Sequence, residues 1–282
     1  MNTRQSARWI AIAAIGLLAV SPAHAGPGVV DEQVDGNVLE ARIKILGIEF
    51  ADLRIEFEDV SGLAPGALGL SARLLGPLEL IALVLRLPDR LLTSLPIELP
   101  ILLRIQPGPG LSMRGVASVS LHSDLVHYLP GSPLRLFAAP IGGQFEDVTA
   151  ESGAGSYRGG AVRPDFGSEY AFGVDMRPRQ TVAEDKLDAL DDLLAEHAPA
   201  IAPAVLADLE QRAAAVRAAF ESGDPGAAAA ALDGFAAAVY QASGEGVPDV
   251  WDAGETLANT AGELRSQAAT LRYSLLQLVP GS

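Results

Sequence analysis

The hydrophobic period of this chain changes once, and that change limits what it can fold into. Residues 29–177 read as short β runs, the clearest of them alternating apolar and polar, while residues 180–278 repeat every three or four. Period 2 is the spacing of a strand with one buried face, and period 3.6 is that of a helix with one apolar stripe. The split predicts β and α structure in separate domains. Residues 26–179 are expected to form an Ig-like antiparallel β-sandwich, with a barrel as the alternative. Residues 180–282 are expected to form an up-and-down four-helix bundle, joined to the sandwich around Arg177-Pro178-Arg179-Gln180.

In the first part, Ala41, Ile43 and Ile45 share one face and Glu40, Arg42 and Lys44 the other. Leu46-Gly47 reads as a turn, and the alternation returns with Leu53, Ile55 and Phe57. That is a hairpin pattern. Further short runs follow at Leu70–Leu74, Ile101–Ile105, Met113–Leu121, Leu134–Ala138 and Tyr170–Met176. They are separated by Pro/Gly groups such as Gln106-Pro107-Gly108-Pro109-Gly110. Leu74–Leu95 alternates poorly and reads as a crossover with room for a short helix over one end of the sandwich.

In the second part, Thr181…Glu184 has the form of a capping box. The helix it opens runs to about His197, and Pro199 ends it. A second helix from Pro203 carries Leu206, Leu209, Ala213, Val216 and Phe220, and stops at Ser222-Gly223. Asp224-Pro225 caps a third, with Leu232, Phe235, Ala236, Val239 and Tyr240, ending at Ser243-Gly244. Pro248 is read as opening a fourth, with Leu257, Ala261, Leu264, Ala268, Leu271, Leu275 and Leu278 in its stripe. Such a helix would be about 45 Å long at 1.5 Å per residue. No internal repeat is evident.

The N-terminus has the three parts of a secretory signal. Arg4 and Arg8 are basic, Trp9–Val20 is apolar, and Ala23-His24-Ala25 offers small residues for cleavage after Ala25. The apolar run is too short for a bilayer core of ~30 Å, which needs about 20 such residues. Residues 1–25 are therefore expected to be a cleaved signal peptide. The mature protein is expected to be periplasmic or secreted, with no stable membrane insertion. Leu80–Leu85 stops at Arg86 and reads as core. The chain has no cysteine, which excludes a lipoprotein anchor, disulfides, thiolate metal sites and a cysteine nucleophile. Its net charge of −15 disfavours nucleic acid and anionic lipid as partners.

Arg217-Ala218-Ala219-Phe220-Glu221-Ser222-Gly223-Asp224, with Leu232-Asp233-Gly234-Phe235 to Ser243-Gly244, resembles the small FIMAH-type helical modules of exported bacterial proteins. Many hosts of those modules act on polysaccharides. Phe137-Ala138-Ala139-Pro140-Ile141-Gly142-Gly143-Gln144-Phe145 and Gly155-Ser156-Tyr157-Arg158 look like those of exported proteobacterial proteins grouped as a domain of unknown function. Neither resemblance brings catalytic residues with it; what they imply is an accessory or binding role.

His122 and Asp124 share a strand face, but zinc needs three or four ligands, and His127 falls on the other face if the strand continues. The cluster reads as a polar turn at a strand end. Ser156 sits among glycines, yet Arg158 replaces the second glycine of a nucleophile elbow, and Gly153–Gly160 reads as a mobile loop. Asp185, Asp188 and Asp192 share a helix face near an N-terminus, where the dipole favours them. No calcium loop is present. Trp251, Tyr240 and Phe220 read as bundle core. No catalytic, cofactor or metal residue is therefore assigned, and no cofactor is expected. The expected function is that of an exported non-catalytic binding or accessory protein for a glycan or protein partner. The alternative is a carboxylate-dependent hydrolase of an envelope or extracellular polysaccharide.

Overall fold

The computed structural model describes residues 28–280 apart from 97, 98, 130, 154 and 255. The expected signal peptide, 1–25, lies outside the described residues. Among the described residues are thirteen strands and five α-helices, and both sheets are antiparallel. The first sheet runs β1 (Val29–Asp35), β2 (Val38–Ile45), β3 (Ile48–Ser61), β7 (Ser112–Tyr128), β11 (Gly155–Arg163), β10 (Glu151–Gly153). The second runs β4 (Ser71–Leu74), β6 (Ile101–Ile105), β12 (Ser168–Asp175), β8 (Leu134–Pro140), β9 (Glu146–Asp147), with β5 (Thr93–Ser94) also on β12.

The alternation read from the sequence sets these faces. Leu39, Ala41, Ile43 and Ile45 of β2 are buried in turn, and Leu53, Ile55 and Phe57 of β3 lie beside them. The β2–β3 turn is Leu46-Gly47, with φ of 54° and 80°. Two positive φ values give the turn whose twist matches a hairpin, and glycine takes one at no steric cost. Side chains of both sheets join one hydrophobic cluster, in which Tyr157 of β11 meets Phe172 of β12 edge-on at 4.7 Å. The outer face of the second sheet is covered by α1 (Pro77–Val84) and the chain after it. There Leu83 and Leu87 pack on Leu102, Phe137 and Ala171. The Leu74–Leu95 crossover thus covers a sheet face, not an end, and Ile81 and Leu85, read as core, are exposed.

More strand is present than the alternation showed. Gly153–Gly160, read as a mobile loop, belongs to β10 and β11 wherever it is described. Its glycines answer to close packing. A Cβ on Gly160 would lie 2.3 Å from Glu151 Cγ, and one on Gly159 would lie 3.0 Å from the Tyr157 hydroxyl. The His122–His127 segment, read as a turn, belongs to the far end of β7, where His122 pairs with both β3 and β11 and Ser123 and His127 pair with β11.

Four helices follow: α2 (Arg179–His197), α3 (Pro203–Glu221), α4 (Pro225–Ala242) and α5 (Thr260–Leu276). The second and third match their readings. Asp224 caps α4 by accepting from the Ala227 amide at 2.8 Å. The first differs at its start, because α2 begins two residues before Thr181 and has no side-chain cap, so the capping box does not form. The fourth differs most. Residues 250–252 form a strand, β13 (Val250–Asp252), that pairs with Ser112–Arg114 of β7 beyond the end of β11. The last helix starts ten residues later, where Asn259 caps it by accepting from Gly262 N at 2.8 Å. At about 26 Å it is little more than half the expected length. Trp251 leaves the helices and packs in the cluster between the sheets, edge-on to Phe166 at 6.0 Å. Tyr240 is exposed, and Phe220 is buried among the helices as expected.

Candidate functional site

Of the residues singled out in the sequence, His122, Asp124, His127 and Ser156 lie on the first sheet, while Asp185, Asp188 and Asp192 lie on α2. His122 on β7 is flanked in register by Asp52 of β3 and Arg158 of β11. Its Nε2 shares a 2.5 Å hydrogen bond with Ser156 Oγ and lies 3.5 Å from Asp124 Oδ1. Its Nδ1 is 3.9 Å from Asp52 Oδ2. The pairing of β7 with β11 slips between Ser156 and Tyr157, so the alternation resets. His127 is therefore exposed instead of turning inward, while His122 is half-buried. Serine and imidazole are in contact, but 3.9 Å is too long for Asp52 to orient the ring by a hydrogen bond. Ser156 lies on a strand, with no strand–turn–helix elbow around it. The open groove beside it, about 480 Å³, is lined by Asp31, Glu40 and Asp52 among others. Lys44 holds Asp31 at 2.8 Å and Arg54 holds Glu40 at 2.5 Å. This face is a lattice of ion pairs in water, where each pair contributes little.

A different arrangement forms where β8 begins, β12 ends, α2 starts and α5 stops. A cavity of about 220 Å³ there has Arg135, Arg177, Arg179, Met176, Val182 and Gln277 among its walls. Arg135 interrupts the apolar run Leu134-Arg135-Leu136-Phe137-Ala138 and is only 7% exposed. Its Nη1 donates to the carbonyls of Ser132 at 2.8 Å and Leu134 at 2.7 Å, and the guanidinium lies 5.4 Å from the Tyr273 ring centre. No carboxylate pairs with it among the described residues, and neither Nε nor Nη2 has a hydrogen-bond partner there. Both nitrogens keep some access to open space, unlike the sealed Nε of Arg163. Arg177, by contrast, is neutralised by Asp175, which accepts from its Nε at 3.0 Å and its Nη2 at 2.8 Å. Arg179 donates to the carbonyls of Gln277 and Gly131, each at 2.9 Å. On the same wall, Gln277 Oε1 is a buried acceptor with no partner among the described residues.

Behind this cavity, a buried network fixes its walls. Lys186 of α2 donates to Asp147 of β9 at 2.8 Å and to Thr270 Oγ1 of α5 at 2.6 Å. The Thr270 hydroxyl faces the carbonyls of Asp147 and Thr149 at 3.0 and 3.1 Å. Burial alone would raise the Asp147 carboxyl, but the ammonium of Lys186 beside it holds it below the usual range. Burial lowers Lys186. Burial also pushes the Tyr273 phenol up to about 12, so it stays neutral beside Arg135.

A family of unknown function, DUF6689, matches residues 13–279. The chain belongs to that family. The match runs through both halves as one unit, which agrees with the expected uncharacterised family and shows no FIMAH-type module. No curated protein and no solved structure matches the chain. No helix among the described residues is long and apolar enough to cross a membrane.

Neither Arg135 nor Gln277 was singled out from the sequence. Arg135 had a signal: one charge within an apolar strand. Gln277 had none, because its wall of the cavity is set by where α5 ends against β8.

Proposed function

We propose that this DUF6689 protein is an exported, non-catalytic binding protein of the periplasm or extracellular space. Its ligand site is then the cavity between the second sheet and the helices. We read the two sheets as a β-sandwich and α2–α5 as a four-helix bundle bracing it. The observation that carries the proposal is Arg135. A buried guanidinium with two donor nitrogens unbonded and no carboxylate hydrogen-bonded to it is costly, and an anionic ligand relieves that cost. The apolar wall of Pro133, Met176 and Val182 gives such a ligand something to pack against. The non-catalytic reading draws on the groove over the first sheet, where Asp31 and Glu40 are committed to cations. That leaves Asp52 beside His122 and no pair of free carboxylates in that groove for glycoside hydrolysis.

The test is ligand-linked melting. Small anions should raise the melting temperature of the purified protein progressively with concentration, the added stability reaching about 2.7 kcal/mol at a hundredfold excess over the dissociation constant. Arg135→Gln should abolish the response. An unchanged melting temperature across all anions, or an equal response from the variant, would overturn the proposal.

A further inference from the structure

Resting on that reading, we infer that the anion is the carboxylate head of an aliphatic chain. The ligand is then a free, single-tailed amphiphile of the fatty-acid class, with its head on Arg135 and its tail leaving over an apolar rim.

The head follows from Arg135. Its Nη1 is spent on the carbonyls of Ser132 and Leu134, which leaves the Nε–Nη2 edge unbonded. Two parallel donors on a planar fork match the two oxygens of one carboxylate. Arg135 is only 7% exposed, so a head that reaches it is narrow. The cavity, about 220 Å³, holds on the order of ten non-hydrogen atoms. A carboxylate with about seven carbons behind it fills that space. The phosphate, glycerol and two ester groups of a two-tailed lipid exceed it.

The tail follows from what borders the cavity. Pro133, Met176 and Val182 form its apolar wall. Met176 is exposed as well, and its amide donates to the Leu92 carbonyl at 2.7 Å. That bond places Leu91 and Leu92, both exposed, next to the wall. On another side, the amide of Ser132, adjoining the wall residue Gly131, donates to the Leu129 carbonyl at 2.8 Å, and Leu129 is exposed too. Exposed apolar side chains scattered singly need no explanation, but several gathered around one site mark a binding surface. Here they come from three separate segments and surround a cation without a hydrogen-bonded carboxylate. A ligand with one charged end and one oily end satisfies both features. A sugar or a fully polar anion leaves the rim in water.

The test is calorimetric titration of the purified protein with butyrate, octanoate and dodecanoate below their micelle-forming concentrations. Octanol and octyl sulfate serve as controls, and pelleting with phosphatidylglycerol vesicles is a separate arm. Octanoate should bind one site per chain about tenfold or more tightly than butyrate, since each added methylene leaves water. Octanol, without the charge, should be weaker than octanoate by about tenfold or more. Dodecanoate should gain about threefold further over the rim, and Leu91→Ser/Leu129→Ser, at exposed positions, should erase that further gain. Met176→Glu, also at an exposed position, puts a negative charge on the wall. It should weaken octanoate in a protein that still folds, and so stands in if Arg135→Gln does not fold. Equal affinity for butyrate and octanoate, tighter binding of octyl sulfate, a dodecanoate gain that survives the double leucine variant, or capture by vesicles without binding of free octanoate would overturn the amphiphile and leave the anion site standing. Octanol binding as tightly as octanoate, or silence toward every anion, would overturn both.

Discussion

At the scale of single residues, the buried pair Lys186–Asp147 is the most consequential feature of the helix–sheet boundary. Each charge is satisfied by the other and by Thr270 or Thr149, so removing one alone strands its partner. Asp147→Ala should cost about 3–5 kcal/mol in urea denaturation, whereas the double variant Asp147→Leu/Lys186→Met should recover most of that loss. A double variant as unstable as the single one would show that the hydrogen bonds, not the charge balance, dominate. The same carboxylate sets a pH dependence. Asp147, Glu58 and Glu169 all have folded-state pKa values below their ordinary ones. In each case burial opposes the shift, and a cation overrides it: Lys186 for Asp147, Arg265 for Glu58, Arg104 and Arg86 for Glu169. The unfolded chain therefore binds more protons as pH falls through about 4, and stability present at neutral pH is lost in acid. Thermal melts from pH 7 to pH 3 should show that fall, less steeply in Asp147→Leu/Lys186→Met.

At the scale of elements, β13 joins the helical part to the first sheet. It is only three residues long, but its central Trp251 is buried beside Phe166 in the cluster between the sheets. Trp251→Ala should cost about 3–5 kcal/mol and loosen the packing of β7 near Met113. Hydrogen exchange at Ser112–Arg114 should then rise ahead of that in α3 and α4. Equal exchange in all three would mean that β13 is part of one cooperative unit with the helices. Asn259 reinforces the strand from the helix side. Its Nδ2 donates to the carbonyls of Gly115 at 2.6 Å and Pro164 at 2.9 Å while its Oδ1 caps α5.

For the whole molecule, the question is whether residues 180–282 stand alone. Trp251, Lys186 and Asn259 all find partners before residue 180, and Arg265 makes a two-pronged ion pair with Glu58. Expressed alone, the segment should be helical by far-ultraviolet circular dichroism. It should also show red-shifted tryptophan fluorescence and a broad melt, because those side chains have lost their sheet. A sharp melt with a buried tryptophan signal would show that the helices close a core without it. Mixing the two halves in trans should restore the blue shift if the contacts described here drive their assembly.

The sequence by itself determined the elements whose signal is local. The β2–β3 hairpin followed from alternation and Leu46-Gly47, and α3 and α4 followed from one apolar stripe between proline starts and glycine stops. Only the tertiary structure decided the rest, because the deciding contacts join residues far apart in sequence. Thr181…Glu184 has the letters of a cap, but α2 starts earlier, where Arg179 reaches Gly131 and Gln277. Residues 248–259 follow a helical stripe only loosely, and the open edge of β7 beyond β11 draws Val250–Asp252 into a strand. Arg135 was visible as a charge in an apolar strand. That its free edge opens on a cavity shared with Gln277, over a hundred residues away, is a property of how the sheets and helices meet.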